Sequence, residues 1–304
     1  MIRKRKNTII KDTFSDKIFL SVLYIVLTLC FAVVAYPLIY VLSASFSSPN
    51  AVITGKVLLL PVQPTLMGYE AVFKNRQIIT GFTNSLMYMV VGTAVNLAMT
   101  ICAAFPLSRK EFYGRGVFTA VFVFTMYFSG GLIPTYLLIR SLQLLDTFWV
   151  MIIPTALSVW NVVICRTFLQ TNIPDALFEA AMIDGCAEFR FMLRIVIPLS
   201  APVLAVLALF YGVGHWNAFF NAMIYLRSAN RFPLQMVLRS ILIQNQFDLN
   251  MMSGENFEAL LRRQGLIDLL KYSVIVVASV PVLCIYPLVQ RYFVSGVMIG
   301  ALKG

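Results

Sequence analysis

From Ile18 to Leu42 the chain runs without a single charged side chain, and comparable apolar runs recur along its length. A bilayer offers the backbone no hydrogen-bonding partner, so a run of roughly 20 apolar residues that enters one must satisfy its own amides and carbonyls as a helix. Composition agrees with that constraint: 60% of the 304 residues are hydrophobic and 12% charged, and mean hydropathy is +0.83. Soluble domains do not approach this profile. The expected fold class is all-α integral membrane, with six transmembrane helices inside a membrane domain of residues 18–293.

The spans are read at about Ile18–Leu42, Phe82–Leu107, Val117–Ile139, Phe148–Phe168, Leu199–Phe220 and Leu269–Tyr292. The first follows a basic N-terminal segment, 1–17, as a signal peptide would, and Ser43-Ala44-Ser45 resembles a cleavage site. It exceeds the roughly 7–15 residues of a signal core and fits a full crossing. Residues 46–80, rich in Pro, Gly and Ser, are read as external, with a short helix near Tyr69–Phe73. In the third span Ser129-Gly130-Gly131 and Pro134 soften the helix, a break tolerated where the freed backbone faces protein or water. Alternation leaves 169–197 and the tail 294–304 inside, 227–267 outside, and both termini in the cytoplasm. Fourteen of the 24 Lys and Arg then lie inside and ten outside. The direction is that of the positive-inside rule, carried mostly by the N-terminal RKRK cluster. The expected localisation is thus a cell membrane, crossed several times.

A net charge of +11 in such a chain marks cytoplasmic flanks and headgroup contacts, not nucleic-acid binding. The five cysteines form no CxxC pair and read as small buried hydrophobes. There is one histidine, His215, and no HExxH, GxSxG or paired carboxylates within a span, so no catalytic or metal-binding residue is expected. There is no Walker A loop, so any ATP, with its Mg, must be handled by another chain, and no cofactor is expected in this one. No Asp, Glu, Lys or Arg sits near the centre of a span, which argues against an ion-coupled carrier.

Two stretches remain. One is EAAMIDGCAEFRFMLRIVIPLSAP, residues 179–202, a polar helix-forming segment between the fourth and fifth spans. Asn172 or Asp175 can cap a helix with Pro174 in its first turn, and Gly185 can end it. Asp175, Glu179 and Met182 share one face, with Ala176, Ala180 and Ile183 beside it. Phe189, Met192, Leu193 and Val196 then suggest a second amphipathic helix leading to Pro198, where the fifth span begins. The residues alone fit either a linker or a compact helix seated in a groove. The other stretch is YGVGHWNAFFNA, 211–222: Tyr211, His215 and Phe219 at i, i+4, i+8, with Trp216, Asn217 and Asn221 alongside and Gly212 and Gly214 to loosen the helix. Aromatic faces with amides suit a sugar path; the same residues also suit an interfacial aromatic belt.

The spacing of Glu179-Ala180-Ala181, Asp184-Gly185 and Ile195-Val-Ile-Pro198 resembles the EAA loop of permease subunits from bacterial ATP-driven importers. Cys186 stands where family members often have Ala. The resemblance implies that the 175–190 helix docks into a cleft of an ATPase subunit through Glu179, Ala180, Ala181, Asp184 and Gly185, with Pro198 beyond. The first external loop, SGGLIPTYLLI and the ending SGVMIGALKG are similar to the second permease subunit of carbohydrate importers of the maltose-importer type, with phrasing like that of oligosaccharide and polysaccharide systems. That resemblance implies a second related permease, an ATPase dimer, an extracellular sugar-binding protein and an oligosaccharide substrate. It also implies an ATPase contact at Gly296, Gly300, Lys303 and Gly304, and an approach of 227–267 toward the binding protein. A membrane sensor or scaffold that docks a cytoplasmic partner through the same helix is the alternative from another class.

Overall fold

The computed structural model describes residues 13–241 and 257–301, and every regular element among them is helical. In order these are α1 (Phe14–Ser45), α2 (Pro49–Ile53), α3 (Met67–Lys74), α4 (Arg76–Ser108), α5 (Arg115–Tyr127), α6 (Leu132–Ser141), α7 (Val159–Asn172), α8 (Asp175–Ile183) and α9 (Glu188–Phe191). There follow α10 (Ile197–Leu199), α11 (Ala201–Trp216), α12 (Phe220–Tyr225), α13 (234–241) and α14 (Phe257–Ala301).

Among the described residues, three segments are long and apolar enough to cross a bilayer unbroken: α1, α4 and Gly265–Ile285 of α14. Three further pairs meet that test only when joined across a bend: α5 with α6 at 111°, Phe148–Thr155 with α7 at 54°, and Glu188–Leu199 with α11 at 82°. The sharpest bend falls at the Ser-Gly-Gly expected to soften the third span. Gly131 there has φ 83° and ψ 179°, a conformation essentially reserved for glycine.

The chain divides into two compact units, described separately. In the first, the end of α1 is fastened by hydroxyls: Ser43 Oγ donates to the Leu59 carbonyl at 2.6 Å, Ser47 Oγ to that of Ser43 at 2.7 Å, and Val62 N donates to Ser47 Oγ at 3.0 Å. Ala44, Ala51, Val52 and Val57 form its small core. Upstream, none of the most apolar window of α1 is buried by the described residues.

The second unit is organised on α4. Asn75 Oδ1 caps this helix, accepting from the Gln77 and Ile78 amides at 3.0 and 3.4 Å. Its buried residues include Ile78, Gly81, Ser85, Tyr88, Gly92, Asn96, Thr100 and Ala104, a stripe at three- and four-residue spacing. The stripe is rich in small and neutral polar residues, because a membrane helix gains from close backbone approach and internal hydrogen bonds while lipid accepts its large apolar side chains. Gly92 lies on this stripe where α11 passes, and a Cβ there would overlap the His215 ring.

Several expectations change in detail. α11 ends at Trp216, capped by Asn217, so Phe219 leaves the face shared by Tyr211 and His215, while Gly212 and Gly214 sit in unbroken helix. α14 continues without interruption past Tyr292, so the boundary expected at 293 falls inside a helix that contains Gly296 and Gly300. Pro281 and Pro287 lie within it, as prolines in membrane helices can where neighbouring groups re-satisfy the freed carbonyls. The 227–267 stretch holds α13 and the start of α14; its residues 242–256, like Lys303 and Gly304, lie outside the described residues.

Candidate functional site

Two places concentrate the predicted residues. The first is the elbow between α7 and α11. Ile173 must be extended because a proline follows it, and Pro174 (φ −61°, ψ 141°) is itself the N-cap. Neither Asn172 nor Asp175 caps the helix; Asp175 is its first residue. Its carboxylate instead meets Lys110 Nζ at 2.7 Å, with Arg109 Nη1 at 3.9 Å. The Lys110 hydrogen bond holds Asp175 below the usual carboxylate range, and the same bond raises the Lys110 ammonium.

Nine residues later α8 closes in a Schellman turn. Gly185 N donates to the Met182 carbonyl at 3.0 Å and Cys186 N to that of Ala181 at 2.9 Å, which requires the positive φ of Gly185, 72°. The polypeptide then forms α9, a π-helical turn over Met192–Val196 and α10 before the bend at Ser200. Ala181 is buried on α8, and Phe178, Met182 and Cys186 pack with it against Phe105, Leu169, Phe191 and Val196. Of the residues expected to dock, Ala181 thus faces inward. Glu179, Ala180, Asp184 and Gly185 are exposed, beside Ile183 at 86% exposure and Leu177. Pro198 is exposed in α10, on a different element.

The reading of the residues missed Arg109. It follows the last residue of α4 and is only 6% exposed. Its guanidinium lies 5.2 Å from the Phe105 ring centroid, 5.0 Å from that of Phe178 and 5.5 Å from that of Phe191. Burial lowers its pKa, opposed by Asp175 and Glu111. Beside it Arg166 Nε donates to the Leu107 carbonyl at 3.0 Å, tying α7 to the end of α4.

The second place is a cavity of about 450 Å³ lined by Thr155, Ser158, Asn161, Phe210, Tyr211, His215 and Asn221, among others. Tyr211 Oη lies 2.7 Å from Thr100 Oγ1 and accepts from the Ser158 amide at 3.3 Å. Asn96 Nδ2 donates to the Thr155 carbonyl at 2.5 Å, so Asn96 Oδ1 is left to face His215 Nε2 at 2.7 Å. This network assigns the hydrogen to Nε2 and leaves Nδ1 an acceptor in the neutral ring. Tyr211, His215 and Asn221 are therefore brought together. Trp216 is not: it is 1% exposed, donates from Nε1 to the Ala278 carbonyl at 3.0 Å and stands edge-on to Phe82. Asn217 is exposed at the helix end, and Phe219 stacks under Arg239 at 5.5 Å. Neither lines the cavity.

The elbow and the lining of the cavity fall within residues 99–299, which match the family described as binding-protein-dependent transport system inner membrane component. The chain belongs to this family. This inner membrane component is 40% identical to protein LplC of Bacillus subtilis (strain 168) over 274 residues, 90% of each chain. It is 37% identical to the polygalacturonan/rhamnogalacturonan transport system permease protein YtcP of the same organism, over 95% of this chain and 99% of that one. In the crystal structure of a bacterial ABC transporter involved in the import of the acidic polysaccharide alginate, one chain matches with TM-score 0.84 and 32% identity, covering 93% of this chain and 99% of that one. The inner membrane component is accordingly embedded in a bilayer, and its relative YtcP is named as a transport system permease.

Proposed function

We propose that this inner membrane component is one of two related permease subunits of an ATP-driven oligosaccharide importer, and that α8 is its coupling helix. One observation carries the coupling role: α8 packs buried Ala181 and half-buried Phe178 and Met182 against the ends of α4 and α7 while leaving Glu179, Ile183 and Asp184 outward. A helix built this way is a rigid lever. Its inner face moves with the spans, and its outer face offers an apolar and acidic surface to a cleft.

In this reading the spans number six, each bent pair counting as one, with both termini cytoplasmic. An ATPase dimer binds ATP and Mg, closes, and drags α8 and the span ends toward the outward-facing state. An extracellular binding protein then releases an oligosaccharide, whose hydroxyls meet Ser158, Asn161, His215 and Asn221 in the cavity. The amide, hydroxyl and imidazole groups are neutral hydrogen-bonding partners, suited to sugar hydroxyls. The end of the chain, Gly296, Gly300, Lys303 and Gly304, contributes a further ATPase contact.

The test is co-purification of the ATPases with Glu179→Ala and Gly185→Val permeases, then sugar-stimulated ATPase activity in lipid discs. As a merely solvated acid, Glu179 should matter by no more than about 0.5 kcal/mol. In a desolvated interface its loss should weaken docking by roughly 2–5 kcal/mol. A Cβ at position 185 meets no neighbour within 4 Å, but Gly185→Val forces a β-branched residue to positive φ, so it should loosen the turn and misdirect α9. Unchanged association and stimulation in both variants would refute the coupling role.

A further inference from the structure

Arg109 is an odd residue to find where it is. It lies within reach of three rings from three elements, Phe105 on α4, Phe178 on α8 and Phe191 on α9, a site whose shape a leucine or methionine could fill. Its Nε and Nη2 are buried without a hydrogen-bond partner among the described residues, and burying unpaired donors is unfavourable. Its Nη1 lies 3.9 Å from Asp175 Oδ1, beyond hydrogen-bonding range, while Lys110, exposed, holds the other oxygen at 2.7 Å. Its backbone is pinned: the amide donates to Pro106 at 3.1 Å, and its carbonyl accepts from Arg115 Nη1 at 3.3 Å. A positive, planar group is thus fixed to the end of α4 and wedged under the first turns of α8.

We infer that Arg109 is the positioning residue that seats α8 on the span ends, by stacking against Phe178 and Phe191 and by offering Asp175 a second cationic partner. Cation–π attraction is directional and is strongest where the cation is desolvated, so the rings of α8 and α9 are held at a set angle to α4. The unpaired guanidinium donors give α8 somewhere to go. A small slide of its N-terminus passes the Asp175 carboxylate from Lys110 to Arg109 Nη1, which stands 3.9 Å away in this arrangement. Lysine could supply the charge but neither the plane nor the second donor pair.

The inference rests on the coupling role proposed for α8, and its test separates the two. Arg109→Gln, Arg109→Lys and Phe178→Leu are made in the full importer, in lipid discs without nucleotide, and hydrogen exchange is followed at the amides of 176–186. Arg109→Gln should speed exchange there at least tenfold while leaving 78–100 of α4 unchanged, and Arg109→Lys should fall between. ATP hydrolysed per sugar moved should rise severalfold in Arg109→Gln. Unchanged exchange at 176–186 in Arg109→Gln overturns the inference. If that variant does not assemble, Phe178→Leu decides: faster exchange supports the seat and unchanged exchange overturns it. Loosened α8 with intact coupling in Glu179→Ala means that the seat stands and the coupling role fails; a rigid α8 in Arg109→Gln with uncoupling in Glu179→Ala means the reverse.

Discussion

Alanine is ordinarily the better helix former by about 0.8–1.0 kcal/mol over glycine, yet Gly92→Ala should destabilise this protein. The added methyl would stand 2.6 Å from His215 Cε1 and 2.8 Å from Cδ2, and nearer still to Nε2. The ring cannot give way at no cost, because Nε2 is bonded to Asn96 at 2.7 Å. If His215 swings into the cavity, a buried amide oxygen loses its partner, at about 1–3 kcal/mol. If α4 and α11 separate instead, overpacking costs roughly 1–3 kcal/mol. The helix-propensity gain offsets little of this, since a membrane helix is already formed in the unpacked state. Unfolding midpoints on SDS titration of the purified complex should therefore fall for Gly92→Ala. The same substitution in a His215→Ala background should be nearly neutral, a non-additivity of about 0.5–3 kcal/mol. Equal midpoints for Gly92→Ala and the parent, or strict additivity in the double variant, would sink the reasoning.

The stretch around His215 should also split by residue. His215→Ala should lower uptake in proteoliposomes while the complex still assembles. Trp216→Ala should lose assembly, since truncating a buried tryptophan costs about 3–5 kcal/mol; the reverse pattern contradicts the cavity assignment. Between α6 and α7, Asp146 accepts from Ser228 Oγ at 2.5 Å and from the Arg227 and Ser228 amides at 3.0 Å, with Arg231 at 3.7 Å. The Ser228 bond first, then the Arg227 amide, depress its pKa to about 2. A depressed carboxylate contributes stability above its unfolded pKa of about 3.9 and loses it as pH falls toward 2. Asp146→Ala should therefore speed amide exchange at 225–231 at pH 6, and the difference from the parent should shrink below pH 3; a gap independent of pH contradicts this.

The long helices and the turn at Gly185 were legible because each depends on local chemistry. α1 and α4 follow from uninterrupted apolar runs, Gly131 announced the sharpest bend, and Gly185 closes α8 as a left-handed cap must. What escaped depends on tertiary neighbours. The break after Trp216 carries no proline or glycine, so the helical face seemed to reach Phe219. Asn96 and Thr100, which build the wall behind the cavity, are uncharged, and a search of the spans for charges passes over them. They stand out only once the small and polar stripe on α4 is followed at its own spacing. Arg109 looked like one more cytoplasmic cation, because nothing local to Ser108-Arg109-Lys110 shows that Phe178 and Phe191 return to cover it.

α1 carries a different kind of information. Its last turn, Ser43 to Ser45, is buried and bonded, while none of its most apolar window is buried by the described residues. The helix is therefore moored at one end, like a mast stepped only at its foot. Its composition dictates depth and length but carries no address on its circumference, since large apolar residues face outward on every side. Which way it is turned is decided by whatever stands beside it in the membrane, and the order of Leu, Val and Ile along it is free to drift as long as the foot stays anchored.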